Sequence, residues 1–373
     1  MRLASRRETE EIMPKDASKT EPNAESKRRW FRYSLRTLFL LMTMICIVAA
    51  WTTWKLVPSM QQKHAIDSLR GNGTILTFQY DYQVPYYDGK MKGQPPPEPG
   101  SLAKLVGVDL THDVTKVQLL ERSFQTPEDF QQAVSSLRWL PHLRFLQIYS
   151  PHRGDLDLKP LARLKELEQL HLDEDRLDDS AMKYLSKLNH LWNLTLGSGQ
   201  ISDDGLVSVA NLKNLKELTV YENQLTDVGL ARLANLTGLE QLILAKNQIT
   251  GSGLGHLANL TKLYDLTLDD NPITDEGLKT LPALPGLSFL SLVRTNVTDA
   301  SIPVLGKLPA DREISISIAG SKISSEGAAK LHKLLPRSTI WIQGSGFNDT
   351  SNATEVFLPP GSDDPVVVSP APN

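Results

Sequence analysis

Cysteine is almost absent from this chain: 373 residues hold one, Cys46. No disulfide framework can staple the residues beyond it, and no paired-thiol metal or redox motif exists. A dominant charge is lacking too. Lys and Arg number 40 against 43 Asp and Glu, a formal net of -3. No basic stripe interleaves with aromatics, which argues against nucleic-acid binding. Catalytic signatures are also missing. The eight histidines, at 64, 112, 142, 152, 171, 190, 256 and 332, form no HExxH and no i,i+4 pair. There is no Gly-x-Ser-x-Gly elbow, P-loop or dinucleotide fingerprint. No motif asks for a cofactor or a metal, and the chain reads as a non-enzyme.

What is present is a 24-residue spacing. The pairs Leu146/Ile148, Leu170/Leu172, Leu194/Leu196, Leu218/Val220, Leu242/Leu244, Leu266/Leu268 and Leu290/Leu292 follow one another at that interval. Ile316/Ile318 comes after a slip of two residues, and Ile340/Ile342 resumes the step. Within each copy the two apolar residues alternate with one other residue, so both point to one face of a short strand. Three residues past the second apolar position stands Asn223, Asn247 or Asn271, whose amide can bond the backbone of a tight corner. Gly199 and Pro151 take that place elsewhere, where a looser corner is expected. Ser202, Thr226, Thr250 and Thr274 then supply N-caps, three of them followed by an acid that suits a helix N-terminus. Leu230, Leu233 and Leu236, or Leu278, Leu281 and Leu284, make a buried stripe on roughly two helical turns. The fold class is α/β: a curved parallel sheet inside and short helices outside. Nine strands about 4.8 Å apart span roughly 40 Å.

The copy Leu263-Tyr-Asp-Leu-Thr-Leu-Asp-Asp-Asn-Pro-Ile-Thr-Asp-Glu-Gly-Leu resembles the leucine-rich repeat. Residues 143–350, about nine copies, are similar to the cysteine-free repeats of bacterial proteins and to ribonuclease-inhibitor-like solenoids. The segment Tyr33-Ser-Leu-Arg-Thr-Leu-Phe-Leu-Leu ahead of a cap and such repeats resembles membrane-anchored bacterial repeat proteins. The resemblance implies an arc that binds protein and brings no catalytic residue with it.

The flanks divide as follows. Residues 1–34 mix charges with Ser, Pro and Asn and read as a disordered basic cytoplasmic tail. Residues 35–55 read as a transmembrane signal anchor, because 37–54 carry no charge and cover close to the ~30 Å of a bilayer core. Trp30 and Phe31 on one side, and Trp51 and Trp54 on the other, suit interfacial belts. Lys27, Arg28, Arg29, Arg32 and Arg36 against Lys55 place the N-terminus in the cytoplasm and the repeats outside it. A cleaved signal peptide ending at Val48-Ala49-Ala50 is the alternative. Residues 56–142 read as an N-terminal cap with strands from Ile75, at 106–110 and at Val117/Leu119, a Pro-rich loop at 93–100, and a helix capped by Thr126. Residues 351–373 read as a Pro-rich disordered tail.

Function is expected on the concave face. Its outward positions hold the aromatics Phe145, Trp192, Tyr221, Tyr264, Phe289 and Trp341. The acids there are Glu168, Asp173, Glu174, Glu217, Glu222, Glu240, Asp265, Asp269 and Asp270, against Arg144, Lys216, Lys246 and Arg294. Aromatic anchors within an acidic surround suit a protein partner with a basic patch, centred near Trp192, Tyr221 and Tyr264. Asp265, Asp269 and Asp270 also raise a cation site, for which solvated acids on a strand face are the plainer reading. Two other functions compete: a self-associating structural component of the envelope, and an enzyme with its site in the cap at 80–113.

Overall fold

The computed structural model describes residues 35–70, 75–78, 114–121, 124–150, 157–174, 177–343, 355–359 and 366–368. The expectations for residues 1–34, 80–113 and Pro151 lie outside these. The chain divides into two units, Met1–Val57 and Pro58–Asn373. The division falls where a proline, lacking an N–H, removes one hydrogen bond from the helix Leu35–Arg70.

In the first unit, Phe39, Leu40, Ile45 and Ile47 on that helix are exposed. Among the described residues no helix is long and apolar enough to cross a membrane.

The second unit is built on one sheet whose spatial order is its chain order. Its strands are β1 (Ile75–Phe78), β2 (Val114–Leu120), β3 (Phe145–Ser150), β4 (Gln169–Glu174), β5 (Asn193–Gly197), β6 (Glu217–Tyr221) and β7 (Gln241–Ile243). They continue as β8 (Asp265–Thr267), β9 (Phe289–Ser291), β10 (Ser315–Ser317), β11 (Thr339–Gln343), β12 (Glu355–Leu358) and β13 (Val366–Val368). β2 through β11 are parallel, and β1, β12 and β13 close the two ends antiparallel.

The 24-residue period is the register of this sheet. Leu146, Leu170, Leu194 and Leu218 face one another across successive strands. Leu290 faces Ile316, so the slip of two is absorbed in the loop before β10 and the ladder does not shift. Val117 faces Leu146 in the same frame, making β2 a tenth member at a longer spacing. The inward leucines of every copy are buried, and each contributes about 2 kcal/mol of apolar transfer. Such a core needs its neighbours, because no single repeat closes around its own leucines.

The outer elements are shorter than two full turns in most copies. The helix Asp227–Leu233 is a true α-helix capped by Thr226, whereas Leu254–Asn259 is a 3₁₀ helix and Asp275–Leu278 a single turn. Strands stack closer than helices do, so the sheet is the inner, concave surface.

The segment expected to be a disordered tail contains β12 and β13, which correct that expectation over 355–358 and 366–368. The physical reason lies in composition and place. Glu355-Val-Phe-Leu and Val366-Val-Val are rich in strand-forming residues, and β11 offers an open edge of N–H and C=O groups for them to pair with.

Two inter-repeat ladders tie the stack. Asn223 accepts the Ile201 N–H at 3.0 Å and donates to Leu196 O at 3.2 Å and Tyr221 O at 2.8 Å. Asn247 and Asn271 repeat the pattern one and two copies later. Each asparagine therefore serves the preceding copy as well as its own. That is why the corner at Gly199 is not loose: Asn223 of the next repeat closes it, and Gln200 N–H bonds Leu177 O at 2.7 Å. A Cβ at 199 would lie 2.7 Å from Leu177 O and 2.8 Å from Asn223 Oδ1, so glycine is required there. On the outer side, the acid after each N-cap reaches the N-cap of the next copy. Asp203 receives the N–H and hydroxyl of Thr226 at 2.9 and 2.6 Å, and Asp227, Asp275 and Asp299 do the same for Thr250, Thr298 and Ser324. Burial alone would raise Asp227, but hydrogen bonds from Thr250, Gly253 and Gly251 outweigh it and hold the carboxyl below its usual range.

Candidate protein-binding face

The alternation of each strand presents three outward rows, joined by a fourth just before the strands and a fifth just after. Trp192 and Tyr264 belong to the fourth row, preceding β5 and β8, while Tyr221 ends β6. Tyr221 thus lies five residues along the strand from Lys216, its own repeat's member of the fourth row, about 16 Å away. The expected centre at Trp192, Tyr221 and Tyr264 separates into two edges of the face. Phe145 on β3 and Trp341 on β11 are eight strand steps apart, about 38 Å, and belong to no common site.

Tyr221 is engaged within the chain. Its ring lies over Gly197, the residue that β5 places beside it, and its hydroxyl donates to Asp173 Oδ2 on β4 at 2.7 Å. The span works because glycine leaves the intervening strand bare at that row. Burial first, then the bond to Asp173 and the charges of Asp173 and Glu222, push the phenol well above its usual value. Phe145 is engaged likewise: Lys116 Nζ sits 4.4 Å from its ring centre, and His171 stacks at 5.3 Å. Burial, with the charge of Lys116, lowers the His171 pKa.

The acids are paired rather than simply solvated. Asp269, expected to be outward and exposed, is 2% exposed. It accepts from Ser291 Oγ and from the Val293 N–H at 3.1 Å. Its row neighbours Ala245 and Val293 are buried too, so this edge of the face tucks under. Asp265 accepts from Gln241 at 2.7 Å and Thr267 at 3.2 Å, and burial raises its pKa. Asp270 takes a bidentate bond from Arg294 at 2.5 and 2.6 Å. The three acids at 265–270 therefore turn to separate partners and form no cation site; among the described residues no cluster suits a metal.

The charges of the face are ordered along its rows. Glu222, Lys246, Asp270 and Arg294 alternate in sign at the 24-residue step, joined as Lys246–Glu222 and Arg294–Asp270. With Ser198 they are the five non-glycine residues of positive φ among the described residues, near +53° to +56°. In the fourth row Arg144 pairs with Glu168 at 3.5 Å and Lys216 with Glu240 at 3.2 Å. The four bases that the sequence placed on the face are thus matched to acids, while Lys116 lies over the Phe145 ring. The Glu222 carboxyl is held low, first by the bond from Lys246 and then by Ser198, with partial burial opposing both. Glu217 takes a neutral donor, the Asn193 amide, and Asp173 takes another, the Tyr221 hydroxyl.

Tyr264 remains the open aromatic, 43% exposed. Burial first, then Glu217, Asp265 and Glu240, raise its pKa, which places three carboxylates within electrostatic reach of one phenol. Phe289 is half-buried on β9, and Trp341 is half-buried on β11, where its register partner is Phe357 of β12. Tyr149, 39% exposed on β3, occupies the same frame position as Tyr221 and is a further aromatic of the face. An open groove along the fourth row is lined by Arg144, Glu168, Trp192, Lys216 and Glu240, with Glu166, His190, Asn214 and Glu217 beside them.

Residues 213–273 match the family model described as leucine rich repeat. The chain carries leucine-rich repeats. No curated protein matches the sequence. Solved structures similar to the repeats include an internalin of Listeria monocytogenes, at 28% identity and a TM-score of 0.43, covering 53% of this chain and 55% of the internalin. Internalin C2 of Listeria monocytogenes shares 24% identity at a TM-score of 0.37, covering 48% of this chain and 81% of its own. A leucine-rich repeat protein of Leptospira interrogans shares 22% at a TM-score of 0.37, covering 55% and 56%. This chain spans about half the length of the first of these. Repeats of this kind act as protein-interaction modules.

Proposed function

We propose that this chain is a membrane-tethered interaction module whose concave face receives a protein partner bearing a basic patch. The observation that carries the reading is Tyr264, an exposed aromatic on a rigid ten-strand platform, with Glu217, Glu240 and Asp265 around it. An aromatic anchor beside Glu217, an acid whose hydrogen bond comes from a neutral amide, favours a cationic surface, both in contact and at the distance where charge steers encounter. Trp192 adds a second anchor on the same row. The tether rests on the uncharged run 37–54 and the basic cluster before it, which assign the repeats to the outer side of the membrane.

A photo-crosslinking residue placed at Tyr264 in cells should give a discrete adduct with one protein, and the same residue at Arg232 or Lys279 on the outer side should give none. Adducts only from the outer positions would refute the face. An adduct of twice the chain's own mass would replace the partner with a second copy. A reporter active only in the cytoplasm, fused after Asn373, should stay silent; a bright signal would reverse the orientation.

A further inference from the structure

Resting on that reading, we propose that the groove around Trp192 is a receptor for one arginine side chain of the partner. The argument starts from what the groove has left to offer. Four carboxylates (Glu166, Glu168, Glu217, Glu240) face two permanent cations (Arg144, Lys216) among its lining residues. Both cations are already committed, Arg144 to Glu168 and Lys216 to Glu240. The remaining acids hold weaker donors: Glu217 accepts from the Asn193 amide, and Glu166 faces His142 at 3.1 Å. Asn214 spends its Nδ2 on Asn189 O at 2.7 Å, which turns its carbonyl oxygen to use as an acceptor. His190 spends Nδ1 on Lys165 O at 2.8 Å. The groove is therefore rich in acceptors and poor in uncommitted donors.

Trp192 occupies the middle of this row, with an ion pair on either side. It is half-buried; its backbone carbonyl accepts the N–H groups of Lys216 and Glu217 at 2.8 and 2.9 Å, and its own N–H donates to Glu168 O at 3.0 Å. Trp192 is the one large apolar side chain among the groove's lining residues. A flat cation with several donors fits such a surface. Guanidinium stacks on an indole face while its edge N–H groups reach carboxylate and amide oxygens, and it is shed from water more readily than ammonium. Tyr221, which the sequence placed at the centre of binding, and Asp269, placed among the acids around it, do not line this groove and make their hydrogen bonds elsewhere.

The test uses the full-length protein and a displayed library of random twelve-residue peptides. Selected peptides should share an arginine, and replacing it by citrulline, which keeps the shape and removes the charge, should weaken binding about tenfold. Trp192→Leu should weaken it by a similar factor, Trp192→Phe should retain most of it, and Glu217→Gln should weaken it less. Thermal melts of each variant establish that the fold is kept. Peptides that lose affinity on Tyr264→Ala but are indifferent to citrulline and to Trp192→Leu would overturn the arginine groove and leave the concave-face reading standing. Peptides whose binding falls only with Arg232→Ala or Lys279→Ala would overturn both.

Discussion

Asn247 is the most exacting place to test how the repeats are joined. It is 7% exposed. Its Nδ2 faces Val220 O at 2.9 Å, Leu244 O at 3.1 Å and Ala245 O at 3.0 Å, and its Oδ1 accepts the Leu225 N–H at 3.2 Å. Asn247→Ala leaves the Leu225 N–H buried without its acceptor, which costs about 1–3 kcal/mol. Losing two donated bonds adds about 1 kcal/mol for each N–H. The total is about 3–5 kcal/mol, read as a lower urea midpoint at unchanged slope by far-UV circular dichroism. Asn247→Asp is a sharper probe. It keeps an acceptor for Leu225 but sets a carboxylate oxygen against carbonyl oxygens, so it should be at least as damaging as alanine at neutral pH. Those carbonyls raise the folded-state pKa of the new acid, so its stability should recover as pH falls through that raised value. Gln248→Ala, at an exposed neighbour, is the control. If Asn247→Ala costs no more than this control, the asparagine ladder does not hold the repeats together.

Three further outcomes are expected. Leu244 is fully buried and Ile243 half-buried on the opposite face, so Leu244→Ala should cost about 2–5 kcal/mol and Ile243→Ala far less; equal losses in chemical denaturation would put the strand phase in error. Gly197→Ala would drive a methyl into the Tyr221 ring and should cost about 1–3 kcal/mol, yet be nearly neutral in a Tyr221→Ala background; additive effects in the double-mutant cycle would refute the ring's place. The Asp227 carboxyl is depressed in the folded state, so its contribution is complete above the unfolded pKa near 4 and is lost as pH falls through the folded value. Asp227→Asn should therefore lower stability at neutral pH, with the gap to wild type closing in acid, and a gap constant down to low pH would contradict the assignment.

Much of the face could be read before any coordinates, but not its pairing. The frame placed Glu222, Lys246, Asp270 and Arg294 outward, and summing their signs suggested an acidic surround. The structure sets them side by side, where opposite signs cancel. That outcome was written in the 24-residue step and could have been found by comparing each position with its counterpart one copy on. The burial of Asp269 had a weaker trace: its counterparts are Ala245 and Val293, residues that suit an interior. The bridge from Tyr221 to Asp173 needed three copies read together, including a glycine whose only role there is to be small.

By itself the sequence determined the solenoid, its register and its buried leucines, because a period of 24 admits one way to stack copies so that every apolar pair is shielded. It also determined the corner asparagines and the threonine caps, since these act on backbone groups within one or two copies. Only the tertiary structure decided which aromatics stay open and which acids keep an unmatched charge. Those properties belong to neighbouring repeats and not to any one of them. A carboxylate is free or neutralised according to what stands about 4.8 Å away on the next strand, and a ring is an anchor or a brace according to whether the strand beside it bears a side chain.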